Sequence, residues 1–521
     1  MTTMTPKRAS APEHRRPGPD PELRLLLSRV RLFFSGHGVA AYLVGGFVRD
    51  LLLGRPTHDV DIAVDGDALD LSRRLADDMG GAWMLMDAEN NVGRVVLTLK
   101  SGARFYLDIS RLQDGPAASL EQALRADLSR RDFTANALAL PLDALDGDIS
   151  AALVDTCSGR ADIEARVLRA VSDRTFSDDP VRLLRAVRFV AALDFSMAPE
   201  TGALARRDAP LLARATLERA RDEFLRMLAI PRADRHLRLM DSLGLLDVLL
   251  PELGAGRGCS QPKDHYWDVF NHGIETVAAV ESVLRQRSDV YAPAARMPWA
   301  ADMAAHFHEE AGDGHTRATL LKLAALLHDV AKPETRTVEP DGRIRFLGHH
   351  ILGAERVQRI AERLRLGSRG VRLLALMVEN HLRPAALSGD TDDMPTRRAL
   401  YRYFRDAADA ALDTIYLNAA DFLAARGPTL DVRSWESYCQ RIAYALKWWE
   451  QQKARTPATT PRLVDGKALM EALGLPPGPV VGQLLDALRE AEAVGEVTDR
   501  EAAIGLARLL LPQLQKSGRM P

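Results

Sequence analysis

LVGGFVRDLLLGRPTHDVDIAV, running from Leu43 to Val64, decides how the chain is read. Its last seven residues, HDVDIAV, alternate with the two-residue period of a β-strand. Val60, Ile62 and Val64 point one way and predict a buried side. Asp59 and Asp61 point the other way, next to each other. Two neighbouring carboxylates repel unless a cation lies between them. Mg²⁺ is the natural cation, because it takes hard oxygen ligands and bridges to substrate phosphates. Two such ions about 3.5–4 Å apart can activate an attacking hydroxyl and stabilise a departing pyrophosphate. The pair alone reads equally well as two solvated acids on an exposed strand face. The residues upstream narrow the choice. Gly45-Gly46 falls at a strand-to-helix junction, where glycine lets backbone N–H groups approach a phosphate. Arg49 follows about one turn into the helix, within reach of the same phosphate.

Outward from this stretch, the segment from about Leu23 to Leu145 reads as mixed α/β. A helix, PELRLLLSRVRLFFSGHG, precedes the strand AAYLV, and the strand-like runs WMLMD, GRVVLTLK and RFYLDIS follow Gly80. From Asp178 to about Pro512 apolar residues recur at three- and four-residue spacing, the mark of helices. The stretch from Arg287 to His315 has no clean period and predicts a loop or insertion. ARTPATTPR, Ala454 to Arg462, predicts a linker before a last helical module.

The chain has 521 residues, enough for three or four domains, and its apolar and charged fractions of 46% and 27% are those of an ordinary globular protein. The net charge of −2 places any nucleic-acid contact on a local basic surface rather than on the chain as a whole. Cys157, Cys259 and Cys439 stand far apart, which argues against a zinc ribbon or disulfide framework and fits a reducing cytoplasm. No apolar run is long enough to predict a membrane span. The opening MTTMTPKRASAPEHRRPGPDPE carries charge without an apolar core, so it predicts a disordered tail and not a signal peptide.

Two further stretches carry chemistry. In SRRDFTANALAL (Ser129–Leu140), Arg131 offers a rigid fork of donors suited to phosphate, and Asp132 can accept from a hydroxyl; both also read as a solvated charge cluster. In SDDPVRLLRAVRFVAALDF (Ser177–Phe195), Asp178 predicts a helix N-cap with Pro180 just inside the helix. Asp179 and Arg182 would then be neighbours on one face, which is also the spacing of an ordinary intrahelical ion pair. Arg185 and Arg188 extend the basic face.

Together these motifs resemble the class II tRNA nucleotidyltransferase and bacterial poly(A) polymerase family. The resemblance implies that Asp59 and Asp61 are catalytic and hold Mg²⁺, and that Gly45, Gly46 and Arg49 bind the triphosphate. Asp108, in RFYLDISRL, falls where the family often has a third acid, though a strand-end surface acid reads equally well. Arg131, Asp132 and Asn136 match the residues that contact the nucleotide's sugar and phosphates. Asp179 and Arg182 match a protein template for the incoming base. Asp accepts from an exocyclic amino group and Arg donates to a ring nitrogen or carbonyl, which suits cytosine and adenine and disfavours uracil and guanine. The family string usually begins Glu-Asp; here it is Asp178-Asp179. Nineteen residues separate Arg111 from Arg131, where full CCA-adding relatives usually carry a longer, basic loop, so a CC-only adding enzyme is a live subtype.

The helical half carries several histidines. A lone histidine on an apolar helix is more often a satisfied core residue than a ligand. Here, however, His328-Asp329 ends the apolar helix LLKLAALLHDVAKP, and His272, His349, His350, His381 and Asp421 each end or interrupt another. Imidazole with carboxylate suits a divalent ion. The set resembles the HD superfamily, which implies His272, His328, Asp329 and Asp421 as metal ligands with His349 and His381 as a second group. The metal is unidentified.

The expected fold class is α+β: a polymerase-β-like nucleotidyltransferase head followed by a long all-α body containing an HD-type helical domain. The expected organisation is a disordered tail (1–22), the head (23–145), a helical neck and body for base templating and RNA binding (146–255), an HD-type metal-binding domain (256–453), and a linker with a C-terminal helical module (454–521). The expected function is addition of C and/or A to the tRNA 3′ end from CTP and ATP. The alternatives are a CC-only adding enzyme, a poly(A) polymerase, or an HD-domain metal-dependent phosphohydrolase with an RNA-binding head. The expected partners are the tRNA acceptor end, CTP and ATP, with no membrane; the oligomeric state is left open.

Overall fold

The computed structural model describes residues 21–112, 119–145, 147–285, 290–300, 302–387, 394–455 and 463–517. The expected tail before Pro21, residues 456–462 of the expected linker, and residues 113–118 of the interval between Arg111 and Arg131 lie outside them. The chain divides into two compact units, Met1–Ala215 and Thr216–Pro521. The fold is mixed α+β, with the large sheet confined to the first unit. Among the described residues no helix is long and apolar enough to cross a membrane.

The first unit opens with helix α1 (Pro21–Gly36) and strand β1 (Ala41–Val44). Helix α2 (Gly46–Leu53) joins β1 to β2 (Asp59–Val64), and α3 (Ala68–Met79) leads to β3 (Ala82–Asp87), β4 (Val92–Thr98) and β5 (Arg104–Arg111). After α4 (Leu120–Ser129) the sheet is completed by β6 (Leu138–Pro141) and β7 (Val154–Asp155). The strand order is β3-β4-β5-β2-β1-β6-β7. Only β2 and β5 run parallel within it; its other pairs are antiparallel.

The alternation predicted for β2 holds on its core side, where Val60, Ile62 and Val64 are buried. The other side is covered only in part. Leu124 and Leu128 of α4 pack with Ala63, Val44 and Ala137 into one apolar cluster, and α4 occupies much of the Arg111–Arg131 interval. The cover ends short of Asp61 and Asp59, which are half-buried and exposed. A cover of leucines could not extend further without enclosing unpaired carboxylates.

One local expectation fails. The short helix Thr175–Asp178 ends at Asp178, and the next begins only at Arg182. Asp178 is therefore no N-cap, Pro180 is outside the helix, and Asp179 and Arg182 do not share a helix face. The cause is steric: a residue before proline is driven out of the α region, and Asp179 is extended, with φ −145° and ψ 101°.

The second unit is helical apart from two small ribbons, Glu310–Gly312 with His315–Thr316 and Arg336–Val338 with Ile344–Phe346. Its central helices, Val269–Val283, Arg317–Leu327 and Ala411–Arg426, are buried on nearly every side and pack on one another. Helices apolar all round belong at the middle of a bundle. The last helices, Gly466–Leu473, Pro479–Val494 and Arg500–Ser517, close around an apolar cluster that includes Leu469, Leu484 and Ala507.

Within this unit Lys322 and Glu281 form a buried ion pair at 2.9 Å. Lys322 Nζ also donates to the carbonyls of Leu228 and Ile230, and Glu281 accepts the backbone N–H groups of Arg232 and Ala233, where the helix Ala233–Ser242 begins. Each charge thus satisfies backbone groups as well as its partner. Truncating one member leaves the other charge buried and unpaired, which costs about 3–5 kcal/mol. Lys322→Ala is expected to lower the unfolding free energy of the second unit, read from urea denaturation, by that amount. Glu281→Gln, whose single amide oxygen can serve only one of the two N–H groups and leaves the Lys322 ammonium without a counter-charge, should lose a comparable amount.

Candidate active site and metal centre

In the first unit the sequence-predicted residues converge from β1–α2, β2, and the segment following α4. Gly45, between β1 and α2, has a positive φ of 67°. A Cβ there would lie 2.7 Å from Arg131 Nη1 and 3.2 Å from Asp61 Oδ2. Glycine is therefore required both for the backbone conformation and for the approach of Arg131 and Asp61. Arg131 is held from behind by Asp127 at 3.1 Å. Burial, opposed by Arg131 and reinforced by the nearby Asp108 and Asp59, pushes the Asp61 carboxyl up to about 6. A cation beside Asp61 would relieve that strain. Asp59 and Asp61 have no side-chain hydrogen bond or ion pair among the described residues, so the donor set fits a hard divalent ion.

Arg49 is buried and braced. It donates to both oxygens of Asp50 and, at 2.7 Å, to Asn136 Oδ1. Asn136 passes the connection on to Asp132 at 2.9 Å. Both oxygens of Asp132 are engaged: Oδ1 accepts from Asn136 and the Phe133 N–H, and Oδ2 accepts two bonds from Arg185. Although burial opposes it, Arg185 and Asn136 hold the Asp132 carboxyl below its usual range. The guanidinium groups of Arg49, Arg185 and Arg188 lie 5.2, 5.3 and 4.3 Å from the ring of Phe189. Phe189 escaped the sequence reading because it looks like one more apolar residue of its helix. Arg182 donates to the carbonyls of Thr175 and Arg130, and Asp179 Oδ1 accepts the Val181 N–H.

Asp108 is parallel-paired with Asp61 across β2 and β5. Unlike Asp59 and Asp61 it has a partner. Arg94 on β4 grips it with two bonds, at 2.6 and 2.7 Å.

In the second unit the structure brings together His272 on helix Val269–Val283, His328-Asp329 just after Arg317–Leu327, and Asp421 on Ala411–Arg426. His349 begins the helix His349–Arg363, and His381 follows Ser368–Asn380. His272 Nε2 lies 2.9 Å from Asp421 and 3.4 Å from Asp329 Oδ2; His328 Nε2 lies 3.2 Å from Asp329 Oδ2. The two imidazole nitrogens are 3.3 Å apart, the separation of about 3.3–3.4 Å that two imidazoles take on one tetrahedral ion. On the other side of the same carboxylate, Oδ1 faces His349 Nε2 at 3.3 Å and His381 Nε2 at 3.8 Å. Asp329 Oδ1 and the Nε2 atoms of His349 and His381 are enclosed without a well-directed hydrogen bond among the described residues. Such orphaned polar atoms are costly unless something binds them. Against burial, Asp329 and Asp421 push His328 up to about 10; burial, with the positive His328, pulls His381 down to about 3. His350 stands outside these groups.

The sequence reading missed three neighbours of this centre. Lys332 reaches Asp329 Oδ2 at 2.6 Å and Gln261 at 2.6 Å, and His265 stacks edge-on to His272 with ring centres 5.4 Å apart. Lys332 was legible in principle, since a lysine three residues after an acid lies one helical turn away.

Three segments of the chain match known domain families. Residues 41–169 match the family described as poly A polymerase head domain, residues 194–256 the probable RNA and SrmB-binding site of polymerase A, and residues 299–426 the HD domain. The chain is 37% identical over 469 residues to the A-adding tRNA nucleotidyltransferase of Deinococcus radiodurans, covering 89% of this chain and 94% of that protein. It is 33% identical over 473 residues to the CC-adding tRNA nucleotidyltransferase of Thermus thermophilus, covering 89% and 92%. Among solved structures, a CCA-adding enzyme in complex with CTP shares the fold with a TM-score of 0.62 at 21% identity, covering 95% of this chain and 96% of that one. The Thermotoga maritima CCA-adding enzyme complexed with tRNA matches with a TM-score of 0.57 at 21% identity, covering 94% and 96%. The chain therefore belongs to the tRNA nucleotidyltransferases, template-independent enzymes with a poly(A) polymerase-type head, and it carries an HD domain behind that head.

Proposed function

We propose that this protein adds C and/or A to the 3′ end of tRNA from CTP and ATP, with Asp59 and Asp61 as the catalytic carboxylates. The observation that carries the reading is the contrast on the open sheet face: among the described residues Asp59 and Asp61 stand without a side-chain partner beside Gly45 and Arg131, while Asp50, Asp108, Asp127 and Asp132 are each paired with an arginine. Mg²⁺ on Asp59 and Asp61 would polarise the RNA 3′-hydroxyl and offset charge on the departing pyrophosphate. The rest is positioning. The 3′ oxygen bonds to the α-phosphorus as the bond to pyrophosphate breaks. The Gly45-Gly46 backbone, Arg49 and Arg131 would meet the phosphates. Arg49, locked by Asp50 and Asn136, sets the start of α2, and Asp132 fixes Asn136 and Arg185 around the sugar. Asp179 and Arg182 read the base, Asp179 from an extended loop and Arg182 from the first turn of its helix.

Two relatives with names of divided labour, A-adding and CC-adding, support a partial adder, as does the short interval now seen to contain α4. The assay is single-nucleotide extension of transcripts ending before CCA, after C, and after CC, with CTP, ATP or both. Growth to CCA identifies a complete enzyme, a stop after CC a CC-only adder, and extension of the CC-ending transcript alone an A-adder. CTP-independent runs of A would identify a poly(A) polymerase. Replacing Asp59 and Asp61 with alanine should reduce extension by at least about 10³-fold; persistence of transfer would refute the assignment. Arg182→Ala should cut the preference for CTP or ATP over UTP by about 10–100-fold, the worth of a charged hydrogen bond, read as a ratio of kcat/KM values.

The second reading, metal-dependent phosphoester hydrolysis at the HD centre, is supported by its orphaned donors. We propose His272, His328, Asp329 and Asp421 as ligands of one divalent ion and Asp329, His349 and His381 as the group for another. Such an ion would supply a hydroxide nucleophile at neutral pH, and Lys332 would meet the phosphate. Dialysis against a chelator should lower the melting temperature, and a divalent metal at about 100 times its Kd should restore roughly 2.7 kcal/mol. Elemental analysis of His328→Ala should show the metal lost.

A further inference from the structure

The third carboxylate of the head differs from the other two in having a fixed partner. Arg94 and Asp108 are directly opposed on antiparallel β4 and β5, and Asp108 is in turn level with Asp61 on β2. All three side chains therefore project from one face of the sheet in a row across three strands. The Arg94 fork makes one bond to each oxygen, an arrangement that fixes a carboxylate's rotation as well as its position. The guanidinium is steadied by the ring of Tyr106, 5.5 Å away, and Tyr106 is itself level with Asp59. The pair is about a quarter to a third exposed, so it is not a buried strut of the core. A forked carboxylate keeps a second lone pair on each oxygen, and it can still offer one to an ion lying toward Asp61.

We propose that Arg94 is a positioning residue for nucleotidyl transfer, orienting Asp108 as the third oxygen ligand of the ion held by Asp59 and Asp61. This rests on the reading of those two acids as the catalytic pair. Arg94 touches neither nucleotide nor RNA; it acts through Asp108. Without the fork, Asp108 rotates freely and its carboxylate adds repulsion to the site without a defined ligand position. Hydrogen-bonding partners of metal-binding carboxylates typically govern metal affinity or activity by 10–100-fold.

The experiment uses the full chain and a readout that is specific to each site. Fe²⁺ replaces Mg²⁺, and ascorbate with peroxide generates radicals that cut the backbone beside the bound ion; fragment sizes separate cuts in β2 and β5 from cuts near His328-Asp329. For wild type, cuts at both places that Mg²⁺ suppresses are expected. For Arg94→Ala, the Fe²⁺ needed for the head cuts should rise at least fivefold, while the cuts near His328, the melting temperature and the affinities for CTP and tRNA stay within about twofold. kcat should fall by about 10–100-fold. Arg94→Lys, which cannot fork, should recover only part of the loss. Asp108→Asn should match Arg94→Ala, and the double variant should be no worse than either alone. An Arg94→Ala protein that cuts and extends like wild type overturns the proposal, as does an additive double variant, a lower Fe²⁺ requirement, or a loss of cuts at both sites together. Wild type that neither cuts in the head nor extends RNA would instead refute the catalytic pair on which the proposal stands.

Discussion

Repulsion between two carboxylates on one strand organises the first unit. A strand that puts Val60, Ile62 and Val64 into the core must put Asp59 and Asp61 on the opposite face, and no apolar element can cover them without a severe desolvation cost. The surroundings answer this constraint at each step. Helix α4 stops its cover at Ala63. Gly45 gives up its side chain so that Arg131 can come close. Asp108, which would be the third like charge, is neutralised by Arg94. What remains is a small patch of uncompensated negative charge, open to solvent and flanked by arginines, which is the electrostatic form of a site for a metal-chelated triphosphate.

Much of this was legible because it follows from short periods. The alternation in HDVDIAV gave the faces of β2, and the paired glycines gave the junction before α2. The histidines that end or interrupt apolar helices, with Asp421, gave the second centre, although these residues come from five helices whose convergence no local pattern reveals. The parts that were hidden depend on register and long-range pairing. Arg94 meets Asp108 only because β4 and β5 pair in one particular register; a one-residue slip would put them on opposite faces. Lys322 and Glu281 lie 41 positions apart, and each looks like an ordinary surface charge until the helices pack. Asp132 reads as an open acceptor in sequence, yet both its oxygens are occupied. The misplaced helix start at Asp178 had a local cause that was available, the bias that Pro180 imposes on Asp179.

The two centres solve the same problem of concentrated negative charge differently. In the head the acids lie on a sheet face at the edge of an apolar cover, and burial raises the Asp61 carboxyl to about 6. In the helical unit the acids are enclosed, and histidines and Lys332 supply the compensation. There Asp329 and Asp421 are held well below the usual carboxylate range despite their burial. The first arrangement suits a cation that arrives and leaves with nucleotide and product; the second suits one that is resident.

Asp329 has one further consequence. Its two oxygens face different histidine pairs, Oδ2 toward His272 and His328 and Oδ1 toward His349 and His381. A single planar group therefore sets the orientation of both halves of the centre. Turning the carboxylate to suit one pair of imidazoles changes what it presents to the other, so the two halves share one geometric constraint.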